Sequence, residues 1–443
     1  MDKLVVHGGG ESGVGTALLA QQKGFEVFLS DSASLKPQHK AELDAARIEY
    51  EEGGHTEAKI LNANIVVKSP GIPEKAPIIK ALRAVGAKII SEIEFAGRYT
   101  KARKICITGS NGKTTTTLLT HHLLSQSGVR AELAGNVGTS LARQIAAGNE
   151  PDWYVIELSS FQLDGMYDFK ADIAILNNIT PDHLDRYEYK FENYIRSKFR
   201  ILQNQTKADA FICNPDDPTT AEWLPKVSIG ATRYDVSTRH EADAFASDGK
   251  ITVRAKGNLV FDADILPIKG LHNIYNSMQA CAAAQLAGVA DADILKALKT
   301  FKNAEHRLEY VRTFEGVDYV NDSKATNVDS AWYALECQKK PVVWIAGGTD
   351  KGNDYSTLNE LVKQKVKALV CLGVDNAKLI KSYTGIIPTI EEARSMDECV
   401  AKCRALASQG DVVLLSPCCA SFDLFNSYIH RGNLFKECVN NLK

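Results

Sequence analysis

The stretch KICITGSNGKTTTTLLTHHLLSQSG, Lys104 to Gly128, limits the choice of fold more than any other part of this chain. A short β-branched run enters glycines and leaves them with helical spacing, so a strand must hand over directly to a helix. KLVVHGGGESGVGTALLAQQKG, from Lys3, has the same plan. EVFLSD, IEYEEG, IVVKSPG and AKIIS add brief strands, and APIIKALRAVG adds a helix closed by glycine. Strands that alternate with helices pack as a parallel, doubly wound sheet, so the fold class is α/β.

With 443 residues, and about 150 residues per domain, about three such units are expected. A new unit opens near Ser91 and another near Ala304, which divides the chain into 1–91, 92–303 and 304–443. Within the second, ITVRAKGNLV predicts a hairpin and LHNIYNSMQACAAAQLAGV a long helix. Lys and Arg total 52 against 54 Asp and Glu, a net charge of −2, which argues against a nucleic-acid partner. No run approaches the ~18 apolar residues of a membrane span, and a start that runs straight into a strand is expected to lack a leader. The ten cysteines are scattered without CxxC spacing, as expected of reduced thiols in a cytoplasmic protein.

ITGSNGKTT carries the clearest chemistry. A glycine loop between strand and helix turns backbone N–H groups of Gly109, Ser110, Asn111 and Gly112 toward one anion. Lys113 can then reach the β- and γ-phosphates of ATP or GTP, and Thr114, followed by Thr115, can ligate Mg²⁺. Ile107 stands where a full phosphate-loop pattern has its first glycine. In the first unit GGGESG fits GxGxxG, and Asp31 ends the next strand. That pattern specifies a diphosphate on a helix N-terminus. A nicotinamide dinucleotide, another nucleotide such as a UDP-sugar, and simple strand–helix packing all remain open on it.

Glu157 ends the strand WYVIELSS, where a Mg²⁺-binding carboxylate is placed in such domains, whereas Asp152, Asp164 and Asp168 read as solvated loop charges. His183, between the carboxylates of TPDHLD, suits a metal or substrate role. Lys198 lies four residues after Tyr194 and seven after Phe191, on the apolar face of its helix. Pattern alone favours a buried stem with a solvated amine, the alternative being a buried amine of lowered pKa. In the third unit EHRLEYV, NDSKATN, GGTDKG and SPCCASFD place Arg307, Lys324, Thr326, Lys351 and Ser421 at strand ends. Cations with hydroxyls there suit a carboxylate or a phosphate.

Taken in order, GSNGKTT, GNVG, ELSSFQL, TPDHLDRY, GLHNIYN, EHRLE, NDSKATN and LLSPCCASFD resemble the Mur ligase family over nearly the whole chain. ELSSFQL, NDSKATN and SPCCASFD are most similar to its D-glutamate-adding branch. The resemblance implies a Rossmann-like UDP-sugar domain, a central ATPase domain and a Rossmann-like amino-acid domain. It implies an ATP-dependent amide ligase that joins D-glutamate to UDP-N-acetylmuramoyl-L-alanine through an acyl phosphate, in cytoplasmic peptidoglycan precursor synthesis serving cell shape and division. It also implies a monomer whose partners are small-molecule substrates.

By the same resemblance, Lys113 neutralises the transferring phosphoryl group. Thr114 and Glu157 hold one Mg²⁺, and His183 with a carbamylated Lys198 holds a second. Asn273, Arg307 and Asp322 contact ATP. The UDP-sugar is met by Glu11, Ser12, Asp31, Ser32, Gly71 and Asn136. D-Glutamate is gathered by His183, Lys324, Thr326, Lys351, Ser421 and Tyr428. An anionic carbamate suits a metal where an ammonium would be repelled, which reverses the reading of Lys198 from pattern alone.

Overall fold

Three sheets carry the strands in a computed structural model that describes residues 2–148 and 150–443. The first is wholly parallel and comprises β1 (Lys3–His7), β2 (Glu26–Asp31), β3 (Glu49–Glu52), β4 (Ile65–Lys68) and β5 (Lys88–Ile90), in the order 3-2-1-4-5. Brief β-branched runs between helices build this sheet because each strand can bury both faces under the crossovers.

The second sheet has nine strands. Its parallel core comprises β6 (Arg103–Thr108), β7 (Ala131–Gly135), β8 (Trp153–Glu157), β9 (Ile173–Leu176) and β10 (Ala210–Cys213). β11 (Thr232–Ser237), β12 (Ala244–Ser247), β13 (Lys250–Val253) and β14 (Leu259–Asp262) extend one edge. The order is 14-13-12-11-10-9-6-8-7, and β13 and β14 form the expected antiparallel hairpin. The third sheet comprises β15 (Glu309–Phe314), β16 (Val317–Asn321), β17 (Val342–Gly347), β18 (Val366–Leu372), β19 (Thr389–Ala393) and β20 (Val412–Cys418), in the order 15-16-20-17-18-19. Only β15 runs antiparallel to its neighbour. None of the ten cysteines is in a disulfide.

The first two sheets belong to one compact unit, residues up to Pro267 with Tyr275–Phe301, and the third to another, Ile268–Ile274 with Lys302–Lys443. The segment 268–274, which the sequence groups with the middle domain, thus falls with the carboxy-terminal one. Its local contacts explain this: the His272 ring lies 4.9 Å from that of Tyr333, and the Cys337 thiol faces the Lys269 carbonyl at 3.8 Å.

Within the first unit, buried carboxylates join the two sheets. Glu94 accepts from the amides of Tyr167, Asp168 and Phe169 at 3.0, 3.1 and 2.9 Å. Glu92 accepts from the amide of Ala142 at 2.6 Å, at the start of the helix Leu141–Ala146. Burial pushes the Glu92 carboxyl up from about 4.5 to about 7, against the pull of the Ala142 and Leu141 amides. Because the folded value lies above the unfolded one, the stability contributed by Glu92 is present below about pH 4.5 and is lost as pH rises through about 7. The loss amounts to roughly 3 kcal/mol. Glu92→Gln, which cannot ionise, is therefore expected to show a smaller fall in Tm than the parent between pH 5 and pH 8, by scanning calorimetry. Parallel curves would contradict this.

Candidate active site

The phosphate loop is assembled from both sides. Gly112, with φ +83°, precedes the helix Lys113–Gln126, and a Cβ there would lie 2.4 Å from Asn276 Oδ1. Only glycine satisfies both the left-handed backbone and the close approach. Across the loop, the Ser110 amide donates to the Asn178 carbonyl at 2.9 Å, and the Asn111 amide to Asn178 Oδ1 at 2.9 Å. Ser110 Oγ donates to the Thr180 carbonyl at 2.8 Å and lies 3.1 Å from the Tyr194 hydroxyl. Lys113 folds back so that Nζ donates to the carbonyls of Gly109 and Ser110, both at 2.9 Å. Thr114 and Thr115 are buried in the first turn behind it.

Glu157 ends β8 with only 1% of its surface exposed. Asn136 Nδ2 donates to its Oε1 at 2.8 Å, while Oε2 is buried without a hydrogen-bond partner. A buried, half-satisfied carboxylate is costly unless something completes it. On β8, paired with the strand that leads into the phosphate loop, such a carboxylate suits a hard divalent cation. Lys198, 2% exposed, places Nζ 3.2 Å from Thr108 Oγ1 and 5.1 Å from the centre of the Tyr194 ring. Burial, reinforced by the Lys113 charge, holds this amine well below the ordinary lysine range despite Asp182, Glu157 and Asp164. The amine is buried, not solvated as the helical pattern alone favoured. His183 has a left-handed backbone, φ 52°, with Nε2 3.6 Å from Asp182 Oδ2 and its ring 5.2 Å from that of Phe161. Among the described residues no three His, Cys, Asp or Glu side chains form a metal-binding cluster by themselves.

The amino-terminal sheet opens on a cleft of ≈ 690 Å³ whose lining includes Ser12, Asp31, Ser32 and Gly71. Asp31 accepts from the amides of Gly9 and Ala33 at 2.6 and 2.8 Å, which fixes the glycine loop. Glu11 lies outside this lining and receives Arg143 Nε at 2.8 Å. Asn136, expected to reach toward the sugar, is bonded through both its amide and its side chain to Glu157. His7 lines the cleft as well, and burial beside His55 pushes its imidazole down to about 4, so it is neutral near pH 7.

In the carboxy-terminal unit, Asp322 is buried and accepts from the Leu308 amide at 3.2 Å and from Ser416 Oγ at 3.1 Å. Burial raises its carboxyl to about 7 against the pull of Arg307, whose Nε is itself buried without a partner. Asn273 Nδ2 donates to the Lys269 carbonyl at 2.8 Å. Lys324 Nζ sits 5.5 Å from the centre of the Tyr428 ring. Thr326 follows in the same turn, its amide donating to the Lys324 carbonyl at 3.0 Å. The loops carrying Lys351 and Ser421 are bridged where the Thr349 amide donates to the Ala420 carbonyl at 2.8 Å. Arg431, 1% exposed and given no role by sequence, ties these loops together. It donates to Ser323 Oγ at 3.0 Å, to the Ser323 carbonyl at 2.9 Å and to the Cys419 carbonyl at 3.2 Å.

Three family models match: the Mur ligase middle domain over residues 107–284, the Mur ligase glutamate ligase domain over 306–419, and the MurD N-terminal domain over 4–78. A UDP-N-acetylmuramoylalanine--D-glutamate ligase of Bacteroides fragilis is 52% identical over all of both chains. The chain belongs to the Mur ligase family. Ligases of the same name are 52% identical in Cytophaga hutchinsonii, covering 99% of this chain and 98% of that one, and 51% identical in Porphyromonas gingivalis over all of both. Among solved structures, the Mur ligase fold recurs in UDP-N-acetylmuramate-alanine ligase MurC of Thermotoga maritima, with TM-score 0.63 and 19% identity over all of both chains. It recurs also in MurF of Acinetobacter baumannii, with TM-score 0.64 and 16% identity over 99% of this chain and 91% of that one. The three α/β domains expected from the sequence are therefore those of a Mur ligase.

Proposed function

We propose that this chain joins D-glutamate to UDP-N-acetylmuramoyl-L-alanine at the expense of ATP, in peptidoglycan precursor synthesis in the cytoplasm. The observation that carries the reading is the phosphate loop backed by a half-satisfied buried Glu157 and a buried Lys198 held toward its neutral amine. Full-length relatives at about half identity that bear this activity in their names support it.

A carboxylate is a poor electrophile, so amide formation needs it activated. The L-alanine carboxylate oxygen attacks the γ-phosphorus of ATP, the bond to the bridging oxygen breaks, and ADP leaves. The D-glutamate nitrogen then attacks the acyl phosphate carbon, loses a proton, and inorganic phosphate departs from the tetrahedral adduct. Lys113, in the bend of the loop, supplies positive charge where the phosphoryl group moves. Thr114 and Glu157 would hold one Mg²⁺, and His183 with Lys198 a second. These ions would screen the triphosphate charge. Lys198 would enter that set after its neutral amine adds CO₂ and loses a proton to give a carbamate, an oxygen ligand. Asn273, Arg307 and Asp322 are proposed for ATP, and Lys324, Thr326, Lys351, Ser421 and Tyr428 for D-glutamate. Ser12, Asp31, Ser32 and Gly71 are proposed for the UDP-sugar, with the enzyme acting as a monomer.

The test is phosphate release from ATP with UDP-N-acetylmuramoyl-L-alanine and a panel of D- and L-amino acids. Release only with D-glutamate is expected. Release only with a different amino acid would overturn the substrate.

A further inference from the structure

The loop that lines the amino-terminal cleft is gripped by cations from two domains. Within its own domain Lys68 Nζ donates to the Ile72 carbonyl at 2.8 Å and lies 3.4 Å from Glu74. From the central domain Arg186 donates to the carbonyls of Pro70 and Gly71, each at 3.3 Å. Three consecutive carbonyls of one loop are thus held by two side chains, and Pro70, Gly71 and Ile72 all face the cleft.

Arg186 itself belongs to the loop that carries His183, its amide donating to the His183 carbonyl at 2.9 Å. Its guanidinium lies 4.3 Å from the centre of the Phe161 ring, and Phe161 in turn meets His183 edge-on at 5.2 Å, 68° between planes. Phe161 stacks on Tyr187 as well, at 6.0 Å and 11°. The loop needs such anchoring, because His183, Glu188 and Tyr189 all adopt left-handed backbones, with φ of 52°, 56° and 56°. Each is a strained conformation for a non-glycine residue, and such strain persists only where surrounding contacts over-determine it.

We infer that Arg186 is a positioning residue that couples occupancy of the amino-terminal cleft to the placement of His183. The inference rests on the proposed function only in naming the ligand, a nucleotide-sugar. A ligand seated on Pro70–Ile72 fixes the carbonyls to which Arg186 donates. Arg186 then holds the Phe161 ring beneath its guanidinium, and His183 keeps its strained backbone in T-shaped contact with that ring. Lysine could keep one carbonyl bond but neither the fork nor the stack.

The test uses the full chain and two readouts. In phosphate release with UDP-N-acetylmuramoyl-L-alanine, ATP and D-glutamate, Arg186→Ala is expected to lower kcat about 10- to 100-fold, as removal of an orienting partner does. KM for the nucleotide-sugar should stay within about threefold, with Arg186→Lys falling between the two enzymes. In hydrogen exchange with UDP-N-acetylmuramoyl-L-alanine alone, residues 180–190 should gain protection in the parent and not in Arg186→Ala. Wild-type kcat or wild-type protection in Arg186→Ala overturns the inference. Should Arg186→Ala not fold, Phe161→Leu replaces it with the same expectation for kcat, and wild-type kcat there overturns it equally. A parent enzyme that releases no phosphate with these substrates defeats the proposed function instead, while exchange still reads the coupling.

Discussion

Lys198→Ala is expected to lower the rate of phosphate release by about 10²–10³-fold, the loss typical when one fixed electrostatic contact to a transition state is removed. Lysine is an expensive residue to bury. With 2% exposure and Thr108 Oγ1 at 3.2 Å, its amine is desolvated, and the Lys113 charge adds to the penalty on the ammonium form. A neutral amine is the form that adds CO₂, and the product would carry the negative charge that suits the second Mg²⁺ proposed above. If the carbamate is the working group, a short carboxylic acid admitted into the space left by alanine should restore part of the rate. The measurement is phosphate release by Lys198→Ala against formate, acetate and propionate, with chloride as the control for ionic strength. Full activity of the unrescued variant would refute the assignment, and equal stimulation by chloride would refute the carbamate.

Lys113→Ala should cost about 10³-fold in kcat, with KM for the nucleotide-sugar changed by less than about threefold. Nζ donates to two loop carbonyls, so the lysine shapes the loop, and in the proposed function it also meets the γ-phosphoryl group there. Lys113→Arg should restore little, because a planar fork cannot replace a compact ammonium inside so tight a bend. Steady-state kinetics with ATP and the nucleotide-sugar varied in turn, the other substrates saturating, separate the outcomes. A variant with near-normal kcat and only a raised KM for ATP would mean that Lys113 serves ground-state binding alone.

The parts of the site readable in sequence are those whose chemistry is local. GSNGKTT was legible because strand, glycines and helix are consecutive, and Glu157 because it ends the strand beside them. Lys198 was legible as an anomaly on an apolar helical face, although burial of its amine is a tertiary fact that spacing could not supply. Asn178, Asn276 and Tyr194 brace the phosphate loop from 67 or more residues away, through contacts that leave no periodic trace. The family resemblance assigns Asn136 to the sugar; only the pairing of β7 with β8 brings it to Glu157. Arg431 left no signal at all, since its partners are backbone carbonyls of three separate segments and a serine hydroxyl.

The sharpest measurement follows oxygen. UDP-N-acetylmuramoyl-L-alanine labelled with ¹⁸O in the alanine carboxylate is converted in unlabelled water with ATP and D-glutamate, and the released phosphate is analysed by mass. Activation by phosphoryl transfer predicts one labelled oxygen in each phosphate formed. Phosphate without label, released while the amide forms, would contradict it.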